Sequence, residues 1–187
     1  MFSIRYRVAD DFSDFNPDMP QYISPRDSIG GYIEITCGNF TTGFYWDGEL
    51  MEDDCGYEDI DRWIDNLLNV LIQFLQGKSY AAFRLIETFD TWMMFKREQN
   101  NIEMWEVRGG TNFSESAFLI DPVQDLFCKT SAEGEASLAE FEQEILHKTN
   151  QFLQEMYATT KYAENLMFMT RIIEKVNKIS YIKSNIS

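Results

Sequence analysis

Residues 57–75 read YEDIDRWIDNLLNVLIQFL and carry the strongest helical pattern in the chain. Apolar side chains recur there every three or four residues, which places them on one broad face of a helix. They are Ile60, Trp63, Ile64, Leu67, Leu68, Leu71, Phe74 and Leu75. Gly77 follows at the position where a left-handed residue commonly ends a helix. The stretch therefore predicts one helix, with strands on either side of it in the sequence.

Three strands are predicted ahead of this helix. Residues 2–8 alternate apolar and polar side chains, as a strand with one buried face does. Residues 31–37 and 40–46 are rich in β-branched and aromatic residues and are joined by Gly38-Asn39, a favoured two-residue hairpin turn. Residues 9–30 hold three of the four prolines, which predicts a long surface loop.

The pattern after the helix predicts more strands and then two helices. Strands are expected at 80–87, 91–97 and 102–108, with a turn at Asn100-Asn101 and an edge strand at 116–120. Helical spacing returns at 136–157 and 162–179. This order predicts an α+β fold with a mostly antiparallel sheet, one inserted helix and a C-terminal helical pair. We expect a single domain over 1–187, with the sheet and central helix in 1–121 and the C-terminal helices in 133–182.

The two C-terminal helices carry matching apolar stripes, which predicts an antiparallel pair packed against the sheet. The stripes are Leu138, Phe141 and Ile145 on the first helix and Leu166, Met169 and Ile173 on the second. Phe168 falls instead on the charged side of its helix, near Arg171 and Lys175. It is therefore a candidate contact with a second copy of the chain.

The net charge of −15 is concentrated towards the beginning of the chain. Three basic and thirteen acidic residues give residues 1–60 a charge of −10, whereas residues 161–187 carry +3. An acidic surface repels nucleic acid and anionic membranes and attracts basic proteins. The composition thus predicts a basic protein partner, with no nucleic acid and no membrane bound.

Three further features predict a cytoplasmic protein. The beginning of the chain has no apolar signal-peptide core, and no segment has 18 uninterrupted apolar residues. The three cysteines are widely spaced and odd in number, which fits reduced thiols better than a disulfide framework.

The acidic stretch at 46–65 contains nine carboxylates and one cation, Arg62. It is not an EF-hand, because placing Gly56 at the sixth position puts Arg62 where a bidentate glutamate must bind calcium. Glu58, Asp59 and Asp61 fall near the first turn of the helix, where the helix dipole favours anions. The other carboxylates repel one another, and a basic partner would relieve that repulsion.

The sequence predicts no catalytic residue, no cofactor and no metal ligand set. Gly77–Ser79 read GKS, but Ile72 stands where a phosphate-binding loop needs its first glycine. His147 is the only histidine, and it lies on the solvent side of its predicted helix. Glu103 and Glu106 lie on opposite faces of one strand, so they cannot form a catalytic carboxylate pair.

Two aromatic residues, Trp46 and Tyr57, stand at the two ends of the acidic loop. Rigid aromatics among charges are typical of protein-binding hot spots. The alternative is that Trp46 points into the core and Tyr57 packs against the following helix. The predicted partner-binding residues are Trp46, Asp47, Glu49, Glu52, Asp53, Asp54, Tyr57 and Asp59.

Taken together, residues 31–48 (GYIEITCGNFTTGFYWDG), the acidic loop and the helix that follows resemble immunity proteins of bacterial polymorphic-toxin and contact-dependent growth-inhibition systems. The resemblance covers about the first half of the chain. It implies a non-enzymatic cytoplasmic inhibitor that binds one cognate toxin, commonly a nuclease. We expect the protein to be a monomer or a weak homodimer.

Three other functions fit parts of the same pattern. An acidic secretion chaperone would dimerise and hold an unfolded segment in apolar grooves. A DNA mimic would spread its carboxylates over a long face, whereas here they bunch at one loop. An unrecognised hydrolase is the third. The oligomeric state and the neighbouring gene would discriminate among them.

Overall fold

The computed structural model describes residues 1–10, 28–49, 56–85, 90–109, 117–122, 127–129, 133–159 and 166–186. The strands before the central helix are β1 (Phe2–Val8), β2 (Gly30–Cys37), β3 (Phe40–Phe44) and β4 (Glu58–Asp59), and the helix is α1 (Ile60–Leu75). Six strands follow, namely β5 (Tyr80–Arg84), β6 (Thr91–Glu98), β7 (Asn101–Gly109), β8 (Phe118–Leu119), β9 (Phe127–Lys129) and β10 (Gly134–Ser137). The last two helices are α2 (Leu138–Thr159) and α3 (Met167–Ile186).

The predicted α+β class is confirmed, but the strands form two antiparallel sheets rather than one. The first sheet has the order β1-β2-β3, with β4 also paired to β2. The second has the order β10-β7-β6-β5-β8, with β9 also paired to β7. One buried apolar cluster takes side chains from both sheets and from all three helices.

The central helix α1 has the predicted apolar stripe and is buried well beyond it. Asp61, Val70 and Ile72 are buried as well. The reason is that α1 packs against strands of both sheets and against α2 and α3, so few of its sides face solvent. Gly77, with φ of +87°, ends the helix as predicted. The N–H of Lys78 donates to the carbonyl of Gln73 at 3.0 Å, which is the bond of a Schellman cap.

In the first sheet, alternation separates a core face from an outer face. β1 pairs with β2 so that Ile4 is opposite Ile35 and Arg5 is opposite Glu34. The isoleucines are buried, while Arg5 and Glu34 form an ion pair at 2.7 Å on the outer face. β3 ends at Phe44, two residues before the predicted end.

In the second sheet, the β6–β7 turn lies one residue earlier than predicted. Glu98 pairs with Asn101, so the turn residues are Gln99 and Asn100, and Gln99 takes a positive φ of 54°. Phe118–Leu119 forms the predicted edge strand beside β5. The predicted strand 80–87 ends at Arg84 in the structure, and residues 86–87 lie outside the described residues.

β10 was not predicted, because four residues are too few for an alternating pattern to show. It takes Ala136 and Ser137 from the predicted helix, so α2 begins at Leu138. A capping box marks that start: the N–H of Glu140 donates to Ser137 Oγ at 3.2 Å, and the N–H of Ser137 donates to Glu140 Oε2 at 3.0 Å. Gly134 lies so close to the carbonyl of Cys37 that no Cβ would fit, which brings β10 against the first sheet.

The prediction for Phe168 is wrong. Its side chain is buried, and its ring centroid is 6.1 Å from that of Phe152 on α2. Ile172 is fully buried, whereas the predicted stripe residue Ile173 is only partly so. α3 begins at Met167 and lies mainly along α1. The face of α3 that is buried is therefore rotated relative to the face that the apolar spacing of α3 predicted. None of the described helices is long and apolar enough to cross a membrane.

Candidate protein-binding surface

Four aromatic rings gather on the outer side of the first sheet. The ring centroid of Tyr32 is 6.2 Å from those of both Phe44 and Tyr57, and Phe44 stacks on Trp46 at 6.4 Å with an interplanar angle of 17°. Tyr32 is buried beneath the others, while Phe44, Trp46 and Tyr57 are 46%, 41% and 42% exposed. We call these four residues the aromatic face. The alternative placement of Trp46 in the core is therefore wrong.

Glycines make the aromatic face possible. Gly43 has φ of +77°, and a Cβ there would collide with the carbonyl of Ile33. This conformation interrupts the alternation of β3, and the Phe44 ring accordingly lies beside Tyr32 rather than in the core. A Cβ on Gly30 would overlap the ring of Tyr57, so that ring lies directly against the backbone.

The segment that carries Trp46 is held by Arg7 of β1. Arg7 Nη1 donates to the carbonyl of Gly48 at 2.6 Å and to that of Trp46 at 3.3 Å. Trp46 Nε1 donates to the carbonyl of Glu49 at 3.2 Å. A Cβ on Gly48 would come within 2.6 Å of the indole, so the ring packs closely on its own turn. Trp46 is exposed but fixed in position.

Tyr57 is fixed in a similar way by Asp10. The Tyr57 hydroxyl donates to Asp10 Oδ1, and Asp10 Oδ2 accepts the N–H of Gly30 at 2.6 Å. Partial burial, and then the hydrogen bond to Asp10, hold the pKa of Tyr57 well above its usual range. The phenol therefore remains protonated and continues to donate at any physiological pH.

The carboxylates of the predicted site have different environments. Asp47 and Glu49 are exposed and form no ion pair with the described residues. Asp59, in contrast, pairs with Arg62 at 3.3 Å and is only partly exposed. Glu52, Asp53 and Asp54 lie outside the described residues. The structure therefore brings Trp46, Asp47, Glu49 and Tyr57 to one region, and it directs Asp59 towards a partner within the chain.

Two acidic residues expected at the first turn of the helix have other roles. Glu58 belongs to β4, where Gly31 is its pairing partner, and it accepts a hydrogen bond from Trp63 Nε1 at 3.2 Å. Asp61 is fully buried and accepts the N–H of Ile29 at 2.8 Å. Neither carboxylate borders the aromatic face as a free charge.

Sequence reasoning missed the residues that support the site. Phe44 and Tyr32 belong to it, and Arg7 and Asp10 hold it in place. The sequence signal was the alternation of side chains along each strand. Tyr32 falls on the opposite face of β2 from the core residues, and Gly43 interrupts the alternation of β3 just before Phe44. Arg7 and Asp10 gave no such signal, because their partners are backbone atoms and a side chain far along the chain.

The other chemical candidates do not assemble into a site among the residues described. His147 is exposed on α2, as predicted. The described ranges contain no group of three or more His, Cys, Asp or Glu side chains that could hold a metal. Cys37 is buried, and that burial raises the pKa of its thiol to about 11, which keeps it protonated and unreactive.

Rigid, half-exposed aromatic rings bordered by unpaired carboxylates are suited to binding a protein surface with basic groups. No protein-family model, curated protein or solved structure matches this chain. The aromatic face and the charges beside it are the features of the chain that indicate a function.

Proposed function

We propose that this protein is a non-enzymatic, cytoplasmic immunity protein that neutralises a basic toxin by binding it through the aromatic face, Asp47 and Glu49. The observation that carries the proposal is the half-exposed position of Phe44, Trp46 and Tyr57 in one cluster of rings. Exposed aromatic rings in a cluster mark binding sites more often than they mark an ordinary solvated surface. Before any partner arrives, Arg7 and Gly48 hold Trp46, and Asp10 and Gly30 hold Tyr57.

Preorganisation of this kind favours affinity. A side chain that is already immobile loses little rotamer entropy on binding, so more of the contact energy remains as binding energy. Aromatic anchors at the centre of an interface commonly contribute 2 kcal/mol or more each when truncated. The aromatic face thus supplies anchors, and the two free carboxylates supply charge at its border.

The charge supports a basic partner and, within that class, a nuclease. A nuclease presents Lys and Arg to phosphates, and carboxylates can occupy the same cations and exclude the substrate. Two cations on the outer side of the first sheet are already engaged: Arg5 pairs with Glu34 and lies 4.5 Å from the Tyr45 ring centroid, and Arg7 binds backbone carbonyls. They therefore do little to weaken attraction to a basic surface.

Trp46→Ala should raise the rate of dissociation from the toxin by about 30-fold, because truncating a hot-spot aromatic costs about 2 kcal/mol. The measurement is surface-immobilised binding kinetics with the protein encoded beside this gene, together with protection of cells that express it. Tyr181→Ala, which removes a more exposed ring from α3, is the matched control and should bind like the parent. Equal dissociation rates for the two variants would show that the aromatic face is not part of the interface with the toxin.

Asp47→Asn combined with Glu49→Gln should slow association by about 3–10-fold at low salt and much less at high salt, since exposed charges act mainly by steering. Asp121→Asn combined with Glu174→Gln makes the same change in net charge at exposed positions elsewhere. Association rates at two salt concentrations separate local steering from total charge. If both double variants slow association equally, only the net charge of the protein matters.

A stable dimer that captures unfolded segments would favour the secretion chaperone instead.

A further inference from the structure

One edge of β3 has no pairing strand in the part of the chain that the structure describes. Among the described residues, β3 pairs only with β2, in the register Cys37 with Phe40 and Ile35 with Thr42. Because Cys37 and Phe40 flank the two-residue turn at Gly38-Asn39, they form a hydrogen-bonded pair, and so does the second pair along, Ile35 with Thr42. The residues between these pairs turn their N–H and C=O groups outward. Thr41 and Gly43 are therefore the outward residues, and both are exposed.

Two other edges of the described sheets are less open. At the opposite edge of the first sheet, the N–H of Ile4 in β1 donates to Glu144 Oε1 of α2 at 2.9 Å. In the second sheet, the edge strand β8 has only two residues. β3 has five residues, FTTGF, and none of the lysines or prolines that commonly protect an edge against pairing with another chain.

The surrounding charge indicates what can add to this edge. Residues 27–61, which contain β3, include ten Asp and Glu residues and no Lys or Arg. Asp47 and Glu49 follow shortly after β3 and are free of ion pairs with the described part of the chain. A second copy of this chain would bring like charges together at the edge, whereas a basic segment would bring opposite ones.

We propose that the partner contributes an extended segment containing Lys or Arg, which adds to β3 as a new strand. The backbone of this segment forms hydrogen bonds with the outward N–H and C=O groups of Thr41 and Gly43. Its Lys or Arg side chains form ion pairs with Asp47 and Glu49. Strand addition takes affinity from backbone hydrogen bonds and specificity from alternate side chains. The inference deepens the proposed function and rests on it for the choice of this surface.

Selection of displayed random dodecapeptides on the purified protein tests the inference without the natural partner. We expect the selected peptides to be rich in Lys and Arg with alternating side chains. They should bind Thr41→Ala like the parent and Thr41→Pro at least 10-fold more weakly. Proline removes the outward N–H and is tolerated at a strand edge, since that N–H has no partner within the described chain. Thermal melting of both variants checks that the fold is retained.

A second readout on the parent decides the matter even if Thr41→Pro does not fold. With a selected peptide bound, amide hydrogen exchange at Thr41 and Gly43 should slow at least 10-fold. The same peptide with alternate backbone amides N-methylated should lose binding. Unchanged exchange at these two amides, equal binding of the methylated peptide or selected peptides without basic residues would overturn the inference. So would dimerisation of the parent through β3, because the occupant would then be a second copy.

The two proposals can fail separately. If Trp46→Ala binds the neighbouring gene product normally while the peptides still require the Thr41 amide, strand addition stands and the aromatic face is wrong. If Trp46→Ala weakens toxin binding and Thr41→Pro does not alter it, the aromatic face stands and strand addition is wrong.

Discussion

Phe141→Ala is expected to lower the free energy of unfolding by about 3–5 kcal/mol, the usual cost of removing a fully buried Phe. Phe141 has no exposed surface, and its ring centroid lies 4.7 Å from that of Phe2, 5.9 Å from Phe95 and 6.2 Å from Phe74. It is thus the side chain through which α2 contacts β1, β6 and α1 together. Alanine would leave a cavity where two sheets and two helices meet.

Equilibrium unfolding in urea measures this loss directly. For a chain of this size, each kcal/mol corresponds to about 2–4 °C, so the melting temperature should fall by about 10 °C. Tyr157→Ala removes a large ring from an exposed position of the same helix and should change stability by no more than about 0.5 kcal/mol. Similar losses in the two variants would mean that the cost comes from the helix itself and not from the cavity.

Asp61 should make the protein more stable at mildly acidic pH than at neutral pH. Its carboxylate is fully buried in α1, with the Ile29 N–H at 2.8 Å from Oδ1 and Arg171 Nη2 at 3.7 Å from Oδ2. Burial is the largest influence and raises the pKa of Asp61 from 3.8 to about 6, against the lowering effects of Ile29 and Arg171. The folded state therefore holds this proton more tightly than the unfolded state does.

The sign of the pH dependence follows from that difference. Between about pH 4 and pH 6 the folded chain binds more protons at Asp61 than the unfolded chain, so stability falls as the pH rises through this range. The stabilising contribution is fully present below pH 4 and is lost above pH 6. A shift of about two pKa units corresponds to about 3 kcal/mol.

Asp61→Asn isolates this contribution, because the amide oxygen can still accept the Ile29 N–H while the charge is gone. As the pH is raised from 4 to 7.5, the free energy of unfolding of the variant should increase by about 3 kcal/mol relative to that of the parent. Urea unfolding of both proteins across that pH range gives the difference between their free energies of unfolding. The titrations of the groups that both proteins contain cancel in this difference. Glu174→Gln, which removes one carboxylate from an exposed position of α3, is the control for the loss of a single charge. If the difference in free energy of unfolding between Asp61→Asn and the parent does not change with pH, the pKa of Asp61 in the parent is not raised by folding.

Much of the fold could be predicted because it depends on local pattern. The alternation in β1 gave both of its ends, Gly38-Asn39 gave the β2–β3 turn, and the stripe with Gly77 gave α1. In each case the periodicity of apolar residues or the conformational freedom of a glycine acts within a few residues. β10 and the position of the β6–β7 turn were missed, because pairing with a distant strand fixed them.

The candidate site could be predicted only in part. Trp46 and Tyr57 were identified from composition, and both are exposed beside Asp47 and Glu49. Whether such rings face solvent or core depends on the backbone at Gly43 and on Arg7, which comes from another strand. Composition indicated the kind of surface, and the geometry of three strands determined which rings form it.

The sequence by itself determined the α+β class, the central helix, the β2–β3 hairpin and the acidic, aromatic character of the region around residue 46, because short-range periodicity and charge are properties of a local stretch. Only the tertiary structure decided that the strands form two sheets and that Phe168 is buried. It also decided that Asp61 is a buried carboxylate rather than an exposed helix-terminal charge. Burial depends on which distant elements pack together, and the apolar spacing of one helix shows which face can be buried but not how many neighbours will cover the rest.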